Sequence, residues 1–384
     1  MTASYDCIVL GTGGVGSAAL FHLASRGARA LGLDRFAPGH DRGSSHGDTR
    51  IIRQAYFEHP DYVPLLKRAY QLWADLEERA GRKLYQEAGL LEVGPREGIV
   101  VPGVLESAKR HSLAVEELSP EEVHSRFPGF RVPAGMAAVF ESRAGYLRVE
   151  DCVRAHAEAA VKAGADIEVP AETLGWRAEG SGVAVRTGSG EIRAGALIIT
   201  AGAWAPELLG DARLGLHVRR KPLLWYRTRD ASYRVEGGCP CFLYETREGI
   251  FYGFPEIDAS GLKVAEHSGG ERVKDPLNVD RSLRPSDREP VERFLGEHLP
   301  GVTTELRKHA VCLYTMSPDE HFVVDRLSEN PPVAFAAGLS GHGFKFTSVL
   351  GEVLAELVLE GRSKLTIGFL GRGRAGLGRS AHSD

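Results

Sequence analysis

An α/β chain (α+β overall), with a Rossmann-like dinucleotide-binding domain and a second domain on a mostly antiparallel sheet, is what the sequence predicts. Three observations carry this expectation. A glycine loop joins an apolar strand to a helix near the N-terminus, alternating strands between turn residues fill the middle, and a long apolar-striped helix lies near the end. At 384 residues the chain exceeds what one core usually supports, so two domains are expected.

Taken in order, the run from Tyr5 to Leu10 reads as the first strand and stops at Gly11-Thr12-Gly13-Gly14-Val15-Gly16. This matches G-x-G-x-x-G, in which the first glycine allows the tight turn, the second admits a pyrophosphate against the backbone, and the third lets helix pack on strand. A helix through Ala19 and Leu23 follows, then a strand from Ala30 to Asp34. The helix N-terminus offers free N–H groups to phosphates, and the Asp34 carboxylate is placed to accept ribose hydroxyls. An acid at this position disfavours a 2′-phosphate, so NADP is not expected; the unit alone leaves FAD and NAD open.

Helical periodicity returns between Val63 and Arg79 and between Val149 and Ala163. Ala196 to Thr200 is an apolar strand closing on the turn Ala201-Gly202-Ala203. From about Leu214 to Leu313 the pattern becomes that of an antiparallel sheet, as in Phe251-Tyr252-Gly253-Phe254 and Leu262 to His267. On such a strand Lys263, Ala265 and His267 share one face. The last long helix is expected after Gly343, with Phe346, Val349, Leu350, Val353, Leu354, Leu357 and Val358 inward and Lys345 in its first turn. Beyond Leu370, the glycine- and arginine-rich tail from Gly371 to Asp384 is expected to be mobile.

Bulk properties remove several classes of function. A formal net charge of -4 gives no field favouring nucleic acid or an anionic membrane. No stretch reaches the roughly 18 apolar residues of a membrane span, and Met1 to Asp6 lack the start of a secretory signal. Five scattered cysteines (Cys7, Cys152, Cys239, Cys241 and Cys312) suggest neither a disulfide framework nor a zinc site, and no metal is expected. A cytoplasmic location follows as the expectation.

Four further segments carry a resemblance. They are Gly43-Ser44-Ser45-His46-Gly47-Asp48-Thr49-Arg50-Ile51-Ile52-Arg53, Phe251-Tyr252-Gly253-Phe254-Pro255, Ala310-Val311-Cys312-Leu313-Tyr314-Thr315, and Gly338-Leu339-Ser340-Gly341-His342-Gly343-Phe344-Lys345-Phe346. In sequence and order they resemble the monomeric sarcosine oxidase and N-methyltryptophan oxidase family, within the D-amino-acid-oxidase-like flavoproteins. One departure is Ser45 where the family usually has histidine.

The resemblance implies an FAD-binding domain made of residues 1–86, 147–216 and 319–384, and a substrate domain made of 87–146 and 217–318. It implies FAD bound covalently through Cys312, by a thioether to the 8α-methyl group. The residues it brings to the cofactor are Gly11, Gly13, Gly14, Val15, Gly16, Asp34, Arg35, Gly43, Ser44, Ser45, Thr49, Arg50, Ile51, Ala201, Gly202, Trp204, Cys312, Leu313, Ser340, Gly341, His342, Gly343, Phe344 and Lys345. Arg53 and Lys345 are implied to hold a substrate carboxylate, with guanidinium geometry suited to a bidentate grip. Lys263 is implied to promote reaction with oxygen, Arg50 to lie beside the flavin ring, and His267, Tyr252 and Tyr314 to line the substrate cavity.

The implied activity is oxidation of a small secondary amino acid with oxygen. The imine formed hydrolyses to aldehyde plus amine, and hydrogen peroxide is released. A pocket carrying Arg53, Lys345, Lys263 and, when protonated, His267 would disfavour the ammonium form of the substrate, so no dedicated protein base is expected. The implied partners are a small amino acid and molecular oxygen, with the chain a monomer. The alternatives left open are a related dehydrogenase with another electron acceptor, an oxidase for pipecolate, proline, N-methyltryptophan or a glycated amino acid, an NAD-linked dehydrogenase, and a non-catalytic flavin-binding protein.

Overall fold

The computed structural model describes residues 5–329 and 331–377. The centre of its first sheet is parallel: Tyr5–Leu10 lies between Ala30–Leu33 and Gly190–Ile199, with Asp166–Glu168 outside the former and Pro332–Ala337 beside the latter. The inner strands Tyr5–Leu10, Ala30–Leu33 and Pro332–Ala337, with the end of Gly190–Ile199, are apolar on both faces because both are covered. Cys7 and Val9 enter one core cluster, Ile8 and Leu10 the other. Helices Gly14–Ala24, Val63–Ala80, Val149–Lys162 and Thr347–Leu359 all pack into the first of these clusters. Antiparallel strands Thr173–Glu179 and Gly182–Thr187 extend one side of the sheet.

Nine strands form the second sheet, antiparallel throughout except where Leu90–Pro95 runs parallel to Cys241–Glu245. Alternation along Leu262–Glu266 does what its period-2 pattern requires. Leu262 and Val264 enter the cluster that includes Phe294 of helix Pro285–His298. On the opposite side Ala265 packs with Tyr252, Cys312 and Tyr314, and Lys263 reaches the Trp225 and Phe254 rings. A small sheet of Thr49–Ile52, Gly145–Arg148 and Tyr85–Glu87 crosses positions 86–87 and 146–147, where the sequence places domain boundaries.

Two expectations need correction. Lys345 lies not in the first α-helical turn but in a 3₁₀ turn, Phe344–Phe346, that runs into helix Thr347–Leu359. The tail up to Leu377 is anchored rather than loose: Arg374 forks onto Asp319 at 2.7 and 2.8 Å, and Leu377 is buried. An Arg–carboxylate fork of this kind fixes orientation as well as charge. Residues 378–384 of the expected mobile tail lie outside the described residues.

Behind the parallel sheet, His22 and His156 meet between helices Gly14–Ala24 and Val149–Lys162, beside Trp73 and Ser348. Nε2 of His22 and Nδ1 of His156 have no hydrogen-bond partner. Burial lowers the first imidazole to a pKa of about 4 and the second to about 3. Both are therefore neutral in the fold, while the unfolded chain takes up protons below about 6.5. Between pH 6.5 and 4 the unfolded state binds more protons, so stability is full above 6.5 and falls as pH drops, by up to about 3 kcal/mol per histidine. Thermal unfolding followed from pH 7 to 5 should show this fall, and His156→Phe should make it shallower. An unchanged slope in the variant would remove the pair as its source.

Candidate active site

A cleft of about 480 Å³ opens at the C-terminal ends of the parallel strands, in the size range of small-molecule sites. Its floor is the glycine loop. A Cβ on Gly16 would lie 1.8 Å from the Gly11 carbonyl oxygen, so strand and helix approach this closely only because position 16 is glycine. Gly13 caps the helix without a side chain of its own; Gly14 N donates to Ser45 Oγ at 3.2 Å, and the first-turn N–H groups beyond it have no partner within the helix to keep an anion away. Asp34 accepts from Thr12 N at 2.6 Å and Phe36 N at 3.0 Å. The carboxylate is thus aimed into the cleft with lone pairs to spare.

Of the expected cofactor residues, Gly11, Gly13, Gly14, Val15, Asp34, Arg35, Gly43, Ser44, Ser45, Arg50, Ala201, Gly202, Trp204, Leu313, Ser340, Gly341, Gly343 and Phe344 line this cleft. Thr49, Ile51, Cys312, His342 and Lys345 do not, and Gly16 serves helix packing. The cleft fits a polar dinucleotide on its own evidence. Trp204 Nε1, Thr315 Oγ1 and Thr347 Oγ1 are buried without hydrogen-bond partners, and all three residues line it. Buried polar atoms left this way call for a ligand or water.

Where the cleft meets the second sheet, Arg50 and Lys263 converge on the loop before Arg50. Arg50 donates to Thr49 O at 2.9 Å and Ser44 O at 3.0 Å, and its Nη2 lies 3.1 Å from Cys312 Sγ. Ser44 Oγ in turn donates to the Leu313 carbonyl, tying the loop to the strand that carries the cysteine. Lys263 Nζ donates to Gly47 O at 2.6 Å and Thr49 O at 2.7 Å, with Thr49 Oγ1 at 3.2 Å. Burial and Arg50 weaken its hold on a proton, while three oxygen acceptors favour the ammonium. Tyr252 and Tyr314 share a 3.2 Å hydroxyl contact, and the His267 ring lies near both. A Cβ on Gly341, whose φ is +82°, would collide with the Tyr314 ring.

Arg50 sits on strand Thr49–Ile52 and Arg53 just beyond its end, which sends the two guanidinium groups to different places. The Arg53 guanidinium is stacked on Tyr56 and Phe57, 4.6 and 4.7 Å from their ring centres. Lys345 Nζ lies 5.1 Å from the same Tyr56 ring and donates to the His342 carbonyl at 2.8 Å. Burial and neighbouring Arg53 bring Lys345 down to a pKa of about 7.

A family model for FAD-dependent oxidoreductases matches residues 6–357, nearly the whole of the two-sheet fold. The chain belongs to that family. Within it the oxidoreductase is 38% identical to a monomeric sarcosine oxidase of Bacillus sp. (strain B-0618), over 99% of this chain and 98% of the relative. It is 39% identical to an N-methyl-L-tryptophan oxidase of Yersinia pestis (strain Pestoides F), over 91% and 94%. A solved structure of NikD, an unusual amino acid oxidase essential for nikkomycin biosynthesis, superposes with a TM-score of 0.84 over 96% of this chain and 98% of NikD, at 24% identity. The protein is thus an FAD-dependent amine or amino-acid oxidase of the sarcosine oxidase group, and the NAD-linked and non-catalytic readings fall away. No helix among its described residues is long and apolar enough to cross a membrane.

In this oxidase the cations expected around the substrate do not stand alone. Three carboxyl groups stand among the cations. Glu58 lies 2.6 Å from Arg53 Nη2, Glu92 lies 3.5 Å from Arg53 Nε, and Glu141 accepts from Gln54 N and Ala55 N at 2.8 and 2.9 Å. Burial opposes ionisation of Glu58, but Arg53, His342 and Lys345 outweigh it and hold its pKa at about 2. His267 is not protonated either, because burial pulls it down to about 3. A buried lysine, Lys221, was also missed. It sits directly across from Cys312, and its Nζ is 5.5 Å from the Tyr314 ring centre. One cue was legible: Glu92 is a lone acid in the apolar strand Leu90-Leu91-Glu92-Val93.

Proposed function

We propose that this oxidase removes a hydride equivalent from the carbon beside the nitrogen of a small secondary amino acid such as N-methylglycine, with oxygen as final acceptor. The observation that carries the reading is the meeting of Arg53 and Lys345 over the Tyr56 ring, with Gly343 and Phe344 just before Lys345 lining the cleft and Arg53 acting on His267, whose ring meets Tyr252 and Tyr314. Bound FAD supplies the two-electron acceptor. Arg53 grips the carboxylate of the amino acid, and Lys345 adds charge on the same side. Glu58 already occupies one face of Arg53, so a substrate carboxylate competes with it for the guanidinium. The printed names of the relatives, a sarcosine oxidase and an N-methyl-L-tryptophan oxidase, support an N-methyl amino acid.

Lys263 is proposed to stand against the reactive ring and stabilise negative charge developing on oxygen, since it projects from the sheet on the Arg50 and Cys312 side. Cys312 is proposed to form the thioether, and Arg50 Nη2 lies 3.1 Å from its sulfur.

Peroxide release with N-methylglycine is expected, and Arg53→Ala should weaken binding of carboxylate inhibitors by about 2–5 kcal/mol. An unchanged inhibitor constant would remove Arg53 from that role. For Lys263→Met, anaerobic reduction by substrate should persist, and reoxidation by oxygen should slow by a much larger factor; equal losses in both halves would count against the assignment. Acid-precipitated wild-type protein should stay yellow, and Cys312→Ser should release its colour into the supernatant. A colourless wild-type pellet would rule out the thioether.

A further inference from the structure

Glu92 is the carboxyl that neither the fold nor the proposed chemistry uses. It projects from strand Leu90–Pro95 between Val139 of one neighbour strand and Leu243 of the other. Its side chain is 1% exposed, Oε1 has no hydrogen-bond partner, and it lies 3.5 Å from Arg53 Nε, which has none either. A buried acid with an unsatisfied oxygen costs the fold stability. A leucine or valine like its neighbours would avoid that cost.

We propose that Glu92 is a positioning residue that sets how strongly Arg53 holds a substrate carboxylate, weakly competing when uncharged and displacing the ligand when ionised. The inference rests on the carboxylate reading of Arg53 given above. Burial drives Glu92 up to about 8, and the facing groups only partly offset one another. Arg53 favours its ionisation, Glu141 and Glu58 oppose it, and Lys345 favours it. Below pH 8 the carboxyl is neutral and Arg53 answers to Glu58 alone. As pH rises through about 8 a second anion forms at the guanidinium, and affinity for a carboxylate ligand falls. By linkage, ligand binding on the alkaline side takes up a proton.

The test uses the flavin-loaded full chain and acetate as a non-oxidisable carboxylate, its dissociation constant read from the flavin absorbance between pH 6.5 and 9.5. Wild type should weaken by about ten-fold across pH 8. Glu92→Gln, which cannot ionise, should lose that step. It should keep any earlier change from Lys345, whose pKa of about 7 separates it. Apparent KM for the oxidised amine should follow the same profile, while kcat stays within about three-fold of wild type. Should the glutamine variant fold poorly, Glu92→Leu matches the neighbouring strand residues and gives the same readout. Identical alkaline steps in wild type and variant, or no step in either, overturn the role of Glu92. Absence of acetate binding at pH 6.5, with Arg53→Ala indistinguishable from wild type, overturns the carboxylate reading itself and this inference with it.

Discussion

Burying positive charge at the seam between two sheets is the constraint around which the rest of this oxidase is arranged. A desolvated cation is tolerated only when oxygen atoms surround it. Here those oxygens come largely from one loop. Ser44 O, Gly47 O, Thr49 O and Thr49 Oγ1 serve Arg50 and Lys263, which arrive from different parts of the chain. Meeting that demand fixes the path of residues 43–53, and the same path carries Ser44 and Ser45 back to the glycine loop and the Leu313 carbonyl. Cofactor cleft and cation cluster are therefore one construction. Disturbing the loop disturbs both.

The charge balance of the pocket follows from a second rule. At Arg53 carboxyl groups take over as partners, Glu58 and Glu92, while Lys345 beside it rests on the His342 carbonyl. The result is a mixed site, where the proposed ligand anion would exchange with protein acids instead of filling an open positive socket. Binding there is a difference between two similar interactions, which makes it sensitive to small changes in the surrounding acids.

Much of this could be read in the chain before folding. The glycine unit, with Asp34 after its second strand, has a local mechanism, and the structure places each part accordingly. The shared face of Lys263, Ala265 and His267 followed from strand periodicity alone, and Ala265 and the two side chains flanking it do meet the Tyr252 and Tyr314 cluster. What escaped were pairings set by long-range strand order. Nothing local says that Leu90–Pro95 lies beside Cys241–Glu245, yet that neighbour relation is what delivers Glu92 to Arg53. Arg50 and Arg53 could not be separated either, because a three-residue spacing means one face in a helix and opposite faces in a strand. Charge states were illegible for the same reason, since burial decides them and burial is a property of the assembled fold.

The clasp of Arg374 on Asp319 reaches further than anchoring a tail. Asp319 lies inside the turn Ser317–Glu320, whose last carbonyl, on Glu320, holds His342 Nε2 at 2.9 Å, and that imidazole also meets the Tyr56 hydroxyl. The last described residues thus act as a strut, bracing from outside the aromatic ring on which both pocket cations rest. A segment that reads in the sequence as a loose end is mechanically continuous with the chamber where substrate would sit.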